Sequence, residues 1–442
     1  MPEIKPFKGW RYAKNGASSF ADLLVPPYDV ISSKQQEAFY KKNPHNVIRL
    51  ILGKKTPADS SRNNQYTRAG SFLNDWISKG ILAQDPEPSI YIYVQEYKEG
   101  GKLQTRIGFM AAMKIDEKAI LKHENTLAKP KKDRMALLKE VKTNLSPIFG
   151  LFEDRKGQIQ DVLKASLTSK PALDVTIDGV KHKLYVENRE QQVKQIAEVL
   201  SAKPMYIADG HHRFEVACQF KNWMSEQTGL ARQKTRRTNL PTEPANWNYV
   251  MTYFSDCANN PFKIFPTHRL IRIPKSMKDP LKALSARGGL KRMKNLQAVL
   301  SKLDKTREES GQKGYSFGIY SKKEGFFILE LDQKFVKQVK KNPVDLLDVA
   351  VLHKMLIEPC FKIKVIEKSS AIDFTRDPQE ARGRVDKGNF DLALFLRPTS
   401  LNEMILASKK GLKMPQKSTY FYPKLLSGLV FHRFEDSAVS VS

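Results

Sequence analysis

The stretch that most constrains this chain runs from Met205 to Met224, where a short apolar segment breaks into Asp209-Gly210-His211-His212-Arg213 and then turns helical. Met205, Tyr206 and Ile207 read as a buried strand, while Ala217, Phe220 and Met224 recur at helical spacing, with Val216 and Trp223 widening the apolar stripe. A fold built on that switch must set two imidazoles and a guanidinium in the first turn of a helix that follows a strand. Unpaired N–H groups and the positive end of the helix dipole gather there, so the position suits an anion such as phosphate. Gly210 permits a sharp turn and close approach of a ligand, and Arg213 offers a planar fork for phosphate oxygens. Asp209 has three readings: a helix cap, the holder of a histidine tautomer, or a ligand of the Mg that accompanies a nucleotide. Ordinary turn chemistry explains Asp209 and Gly210 equally well. Packing alone does not call for His211, His212 and Arg213 together.

With 442 residues, 40% hydrophobic and 10% aromatic, the chain can bury a large core and is expected to form two or three structural units. The opening MPEIKPFKGWRY lacks the apolar core of a signal peptide, and no apolar run approaches the ~18 residues that span a bilayer, so no membrane partner is expected. Cys218, Cys257 and Cys360 are widely spaced without a CxxC pair, which argues against a disulfide framework or zinc knot and for a cytoplasmic location. Lys and Arg number 75 against 47 Asp and Glu, a formal charge of +28 that favours polyanions or anionic substrates. The charge is spread along the chain, with concentrations at Lys129 to Lys142, Arg232 to Arg237 and Lys337 to Lys341. A solvated basic surface explains it as well as nucleic-acid contact does, and no zinc-finger or RNP-like motif argues for nucleic acid. Neither GxxxxGK[ST] nor GxGxxG occurs, which disfavours the P-loop, Rossmann and protein-kinase frameworks.

In chain order, the double proline of Val25-Pro26-Pro27-Tyr28-Asp29 forces a rigid, extended path that can hold Tyr28 and Asp29 over a cleft or simply cross the structure. Helices are expected over Ser32 to Tyr40 and Tyr66 to Lys79, with a strand over Val47 to Leu52 between them. Ile90 to Tyr97, Gly100-Gly101 and Leu103 to Ile115 make a hairpin. The next segment, His123-Glu124-Asn125-Thr126 followed by Pro130-Lys131-Lys132-Asp133-Arg134, leads into a helix after Asp133. Glu124 beside the His123 imidazole is a candidate general base, and Lys131 and Arg134 can hold phosphate charge, although a loop and a solvated basic helix explain the same residues. A hairpin at Asp178-Gly179 and a helix over Arg189 to Leu200 precede the central strand. Gln227 to Trp247 reads as a surface loop and Asn248 to Phe254 as a buried strand. Phe265-Pro266-Thr267-His268-Arg269 supplies another His-Arg pair. A hairpin over Tyr315 to Leu331, an amphipathic segment from Leu346 to Leu356, a strand over Phe390 to Leu396 and a helix over Asn402 to Lys410 follow. Met414 to Lys424 alternates polar and aromatic residues, which suits an extended segment closing over a pocket with Lys417 and Ser418. The sequence thus divides into a core over 1–274 carrying the HE and DGHHR motifs, an α+β insertion over 275–341, and a C-terminal segment over 342–442 packing back on the core.

The ordered motifs VPPYDVIS, NPHNVIRL, HENTLAKPKKDR, NLSPIFGLF, YIADGHHRFEVA, FPTHRL, LDVAVLHKMLIEP and MPQKSTYFYPKLLSGL resemble the bacterial DUF1015 family over nearly the whole chain. Through DGHHR the family in turn resembles the ParB/sulfiredoxin-like superfamily, in which the same strand-to-helix turn binds nucleotide phosphates. That resemblance implies an α+β fold with a mixed-sheet nucleotide-binding core. The archaeal ADP-dependent free-serine kinase of the superfamily also pairs HE with DGHHR. By this resemblance Glu124, beside His123, activates a substrate hydroxyl, Asp209 positions metal or substrate, and Gly210, His211, His212 and Arg213 hold the phosphates. Tyr28, Asp29, His268, Arg269, Lys417 and Ser418 are left as candidates for a substrate cleft. The leading expectation is a kinase that takes ATP, ADP or CTP with Mg and phosphorylates a small hydroxylated metabolite such as serine; a homodimer is compatible with it. The alternative is a ParB-like nucleotide switch that clamps DNA or a protein partner. A hydrolytic metalloenzyme using His123, Glu124, His211 and His212 ranks below both, because no HExxH helix is present.

Overall fold

The computed structural model describes residues 2–13, 19–228, 245–274, 276–309, 314–364 and 369–434. The chain forms two compact units: one comprises Met1–Lys122, Thr126–Phe262 and Pro423–Ser442, the other His123–Asn125 and Lys263–Tyr422. The α+β expectation with a mixed sheet is met.

The first unit is laid on a nine-stranded mixed sheet. Its strand order is Ile120–Leu121, Met205–Asp209, Ile148–Phe152, Tyr249–Asp256, Lys102–Lys114, Ile90–Glu99, Val180–Glu187 and Leu173–Ile177, with Ile4–Lys5 pairing with Lys102–Lys114. The hairpin legible in the sequence is there, turning at Gly100 and Gly101, both at positive φ. A second hairpin turns at Asp178 and Gly179, where φ of 49° and 76° is the paired left-handed geometry that Asp-Gly tolerates. Strand Met205–Asp209 runs antiparallel to Ile148–Phe152 and parallel to Ile120–Leu121, so it lies inside the sheet and is apolar through Ala208.

The helix that follows, His211–Gln227, is buried on two sides. Phe214, Ala217 and Cys218 join the core beneath the sheet, with Ile159 and Leu163 of helix Gln158–Ala165 and Ile196 and Leu200 of helix Glu190–Ser201. Val216, Phe220 and Met224 pack instead against Leu138, Trp247 and Phe434. Each large side chain so buried contributes roughly 1.5–3 kcal/mol, which fixes the helix start rigidly against the sheet.

Three local expectations are corrected. Val47 to Leu52 is not a strand; Ile48–Ile51 is a short helix, because the Asn46 side chain accepts from the Ile48 N–H at 2.8 Å and donates to the Asp22 carbonyl at 2.6 Å. That local capping outweighs the β-branched composition. The helix expected after Asp133 begins earlier, at Ala128, since Pro130 falls in the first turn, where a missing N–H costs nothing. In Met414 to Lys424 only Tyr420–Tyr422 is a strand; Lys417 sits at φ 56° in a turn. Most of the loop expected over Gln227 to Trp247, with its charge concentration at Arg232 to Arg237, lies outside the described residues.

The second unit carries an antiparallel sheet ordered Gly288–Met293, Gly325–Leu331, Ser316–Ser321, Leu392–Phe395, His268–Ile271 and Ile372–Thr375. Helices Leu296–Glu309 and Pro378–Asp386 cover one face through Leu296, Val299, Ala381 and Val385. Residues Asp348–Phe361 run on as one helical stretch, widened to π geometry over Leu352–Ile357. Among the described residues no helix is long and apolar enough to cross a membrane.

Candidate functional site

The register of strand Met205–Asp209 slips between Ile207 and Asp209, a local irregularity that re-aims the last side chain of the strand. Asp209 does not cap the helix. The cap is Gly210, at φ 92° and with no side-chain bond to the helix start, and Asp209 turns to two cations instead. Its Oδ2 accepts from Arg213 Nη2 at 2.7 Å and its Oδ1 from Lys424 Nζ at 2.5 Å. These side chains are largely buried, 18% exposed for Asp209, 14% for Arg213 and 11% for Lys424. Burial by itself would raise the Asp209 carboxyl, but the charges of Lys424 and Arg213 outweigh it and hold the carboxyl well below its ordinary value. Both carboxylate oxygens are engaged, so Asp209 fits the role of anchor for two basic side chains better than that of a Mg ligand.

The glycine is required twice over. Its φ is left-handed, and a Cβ at this position would come 3.1–3.2 Å from the Arg213 guanidinium, which folds back over the turn. The other edge of that guanidinium donates to the Pro147 carbonyl, in the turn that leads into the neighbouring strand. Lys424 reaches Asp209 because its backbone is pinned: Arg106 donates to the Pro423 carbonyl and Gln95 to the Lys424 carbonyl, at 2.5 and 2.9 Å.

His211 is buried at the helix start, and its charge acts on Asp209 in the same direction as the two cations. His212 Nε2 accepts from the Leu127 N–H at 2.9 Å and so fixes the entry to helix Ala128–Val141. Glu215, one turn further along, accepts from Thr126 Oγ1 at 2.5 Å and Lys131 Nζ at 3.1 Å. Burial opposes ionisation of Glu215, but the Thr126 and Lys131 hydrogen bonds prevail and lower its pKa. Arg134 is committed elsewhere: it donates to Asp133 at 2.6 and 2.8 Å and to the Ile51 carbonyl at 2.7 Å, and lies 4.0 Å over the Tyr28 ring. Burial and Asp29 push the Tyr28 hydroxyl up to about 12 against the pull of Arg134 and Arg213, which places Tyr28 within electrostatic reach of the helix start. Asp29 beside it is exposed.

The first unit therefore brings together Asp209, Gly210, His211, His212, Arg213, Lys131 and, behind them, Tyr28 and Arg134. Sequence reasoning missed Lys424 as a partner of Asp209, and Glu215. An acid one turn into a basic helix start was a usable signal for Glu215; nothing local tells that residues 209 and 424 meet.

The remaining candidates belong to the second unit. The Met414 N–H donates to the His123 carbonyl at 2.7 Å, Glu124 bridges Met414, and His123 Nε2 lies 3.4 Å from Thr419 Oγ1. Ser418 donates to the Pro415 carbonyl. His268 and Arg269 are both buried and, as consecutive strand residues, point to opposite faces. Burial and the Arg269 charge push the His268 imidazole down to about 3; burial brings Arg269 down to about 9.

A mixed-sheet α+β chain whose candidate site is a strand, a left-handed glycine and a helix start flanked by arginine and lysine is the class these features define. The chain belongs to the DUF1015 family, described as a protein of unknown function, whose model matches residues 4–350. No curated protein matches the sequence. Among solved structures it is similar to a free serine kinase in complex with AMP, at TM-score 0.33 and 12% identity over 71% of this chain and 86% of that one. It is also similar to a conserved hypothetical protein from Pyrococcus furiosus, at TM-score 0.32 and 12% identity over 71% and 90% of the two chains. SbnI with a C-terminal truncation, from Staphylococcus aureus, is similar at TM-score 0.34 and 10% identity over 72% and 85%.

Proposed function

We propose that this protein is a nucleotide-dependent phosphotransferase, a kinase acting on a small hydroxylated metabolite such as serine. The observation that carries this reading is the charge at the start of helix His211–Gln227. Two cations, Arg213 and Lys424, converge on the carboxylate of Asp209 beside a helix start that no side chain caps. A phosphate tail suits such a place, since oriented N–H groups and charge-assisted hydrogen bonds act there in a partly water-excluded setting.

In this reading Gly210 lets the backbone approach the phosphates, and Arg213 and Lys424 neutralise their charge. His211, His212 and Lys131 border the place where they sit. Asp209 sets the two cations. The hydroxyl must also lose a proton, and the resemblance alone assigns that base to Glu124, with His123 beside it. The donor is ATP, ADP or CTP.

The test is to incubate the purified protein with labelled nucleotide, magnesium and a panel of amino acids and sugars. Label passing to one hydroxyl acceptor, and lost with Arg213→Ala, is the expected result. If nucleotide is not retained and no acceptor is labelled, the proposal is wrong. Retention without transfer, together with salt-sensitive retention on DNA, would select the ParB-like switch instead.

A further inference from the structure

The second unit contains a buried cation, Arg269, that has no acidic partner among the described residues. Arg269 is fully enclosed, and among the described residues its guanidinium meets only neutral acceptors. Its Nε donates to His353 Nε2 at 3.1 Å, Nη1 to the Thr267 carbonyl, and Nη2 to the carbonyls of Gln416 and Lys417, both at 3.4 Å. The Phe374 ring lies 5.2 Å from it. A guanidinium stays charged in a protein, so enclosing one among carbonyls is costly and holds those carbonyls in fixed positions. His353 accepts this bond from the π-widened stretch of its helix, a local geometry that recurs at functional sites.

The loop that Arg269 grips also grips something else. Gln416 Nε2 donates to the Asn125 carbonyl at 3.3 Å, the Met414 N–H to the His123 carbonyl at 2.7 Å, and Thr419 faces His123 Nε2. Residues 414–419 are therefore clasped by Arg269 on one side and clasp His123-Glu124-Asn125 on the other. Three stretches far apart in sequence, around Arg269, His353 and Gln416, converge on the tripeptide His123-Glu124-Asn125.

We propose that Arg269 is a positioning residue for Glu124, acting through the backbone of Gln416 and Lys417. The catalytic part of this inference rests on the reading of Glu124 as the base, whereas its mechanical part does not. Lysine in place of Arg269 would keep the charge and lose the fork that holds His353 and the loop at once.

Hydrogen exchange on the full chain carrying Arg269→Lys tests the mechanical link without any substrate. The amides of 123–125 and 414–419 should lose protection while those of the hairpin Ser316–Leu331 keep theirs. Unchanged protection at 123–125, or loss across the whole unit, overturns the proposal. Gln416→Ala, which cuts the link to Asn125 without disturbing the buried guanidinium, should expose 123–125 in the same way. Serine phosphorylation supplies the second arm. Arg269→Lys should lower kcat about tenfold or more with nucleotide KM unchanged, and should have no further effect in a Glu124→Gln background. A full additive loss in that background overturns the role of Arg269 while leaving Glu124 as base. No effect of Glu124→Gln on transfer removes the base itself, and with it the catalytic role of Arg269.

Discussion

Replacing Asp209 by Asn separates an anchor for two cations from a metal ligand. The carboxylate accepts one hydrogen bond from Arg213 and one from Lys424, at 2.7 and 2.5 Å, with all three side chains less than a fifth exposed. A hydrogen bond to a charged acceptor is worth roughly 1.5–3 kcal/mol and one to a neutral acceptor roughly 0.5–1.5 kcal/mol. Asn can keep only one acceptor oxygen and must turn its amide donors toward the second cation. A loss of about 2–4 kcal/mol in the stability of the first unit follows, the lower end applying if water screens the remaining charges. The pH dependence has a definite sign. The folded carboxyl lies below its unfolded value of about 3.9, so its contribution is complete above that pH and vanishes as pH falls through the folded value. Urea unfolding of the two proteins should thus show a constant gap from about pH 8 to pH 5 that narrows below about pH 4. Calorimetric titration with nucleotide in the absence of Mg should show affinity retained or increased in Asp209→Asn, because one negative charge is removed from the helix start. A variant as stable as the parent at pH 7, or a gap that persists undiminished in acid, would refute the anchor. Affinity lost only when Mg is present would restore the metal ligand.

Other outcomes can be checked alongside. Arg213→Ala should weaken nucleotide binding about tenfold or more, the equivalent of one charge-assisted hydrogen bond, as read by titration calorimetry. Gly210→Ala should destabilise by about 1–2 kcal/mol in urea, since alanine resists φ 92° and its Cβ would displace the Arg213 guanidinium. Burial pushes the imidazole of His432 down to about 3, between the rings of Phe7 and Phe434. Its unfolded value is near 6.5, so the folded state resists protonation and stability falls as pH drops from about 6.5 toward 3. His432→Phe should remove up to about 1.4 kcal/mol per pH unit of that slope, measured by denaturant titration between pH 6 and pH 4.

What the sequence reveals follows the range of the interactions. The hairpin through Gly100-Gly101, the strand–glycine–helix switch at Met205 to Met224 and the helix at Ser33–Lys42 with its Ser32–Gln35 capping box are all specified by neighbours a few residues apart. Ile48–Ile51 misleads because its β-branched residues are overruled by one side chain, Asn46, tied to a distant carbonyl. At the candidate site the basic cluster is legible and the charge balance is not. Whether Arg213 faces solvent or an acid depends on how the strand ending at Asp209 slips, and the second cation comes from 215 residues away. The enclosure of Arg269 has the same origin: carbonyls of Gln416 and Lys417 carry no signature in sequence, because every residue has one.

Lys424 and Phe434 belong to the last stretch of the described chain, yet they complete structures begun by residues around 140 and 209. Synthesis delivers the helix start with its histidines long before it delivers the lysine. A chain lacking residues from 423 onward would leave Asp209 with Arg213 alone of the two cations that hold it, and the turn before the helix would lose one of its two ties. The setting of that turn thereby depends on a side chain synthesised 215 residues after the carboxylate it holds.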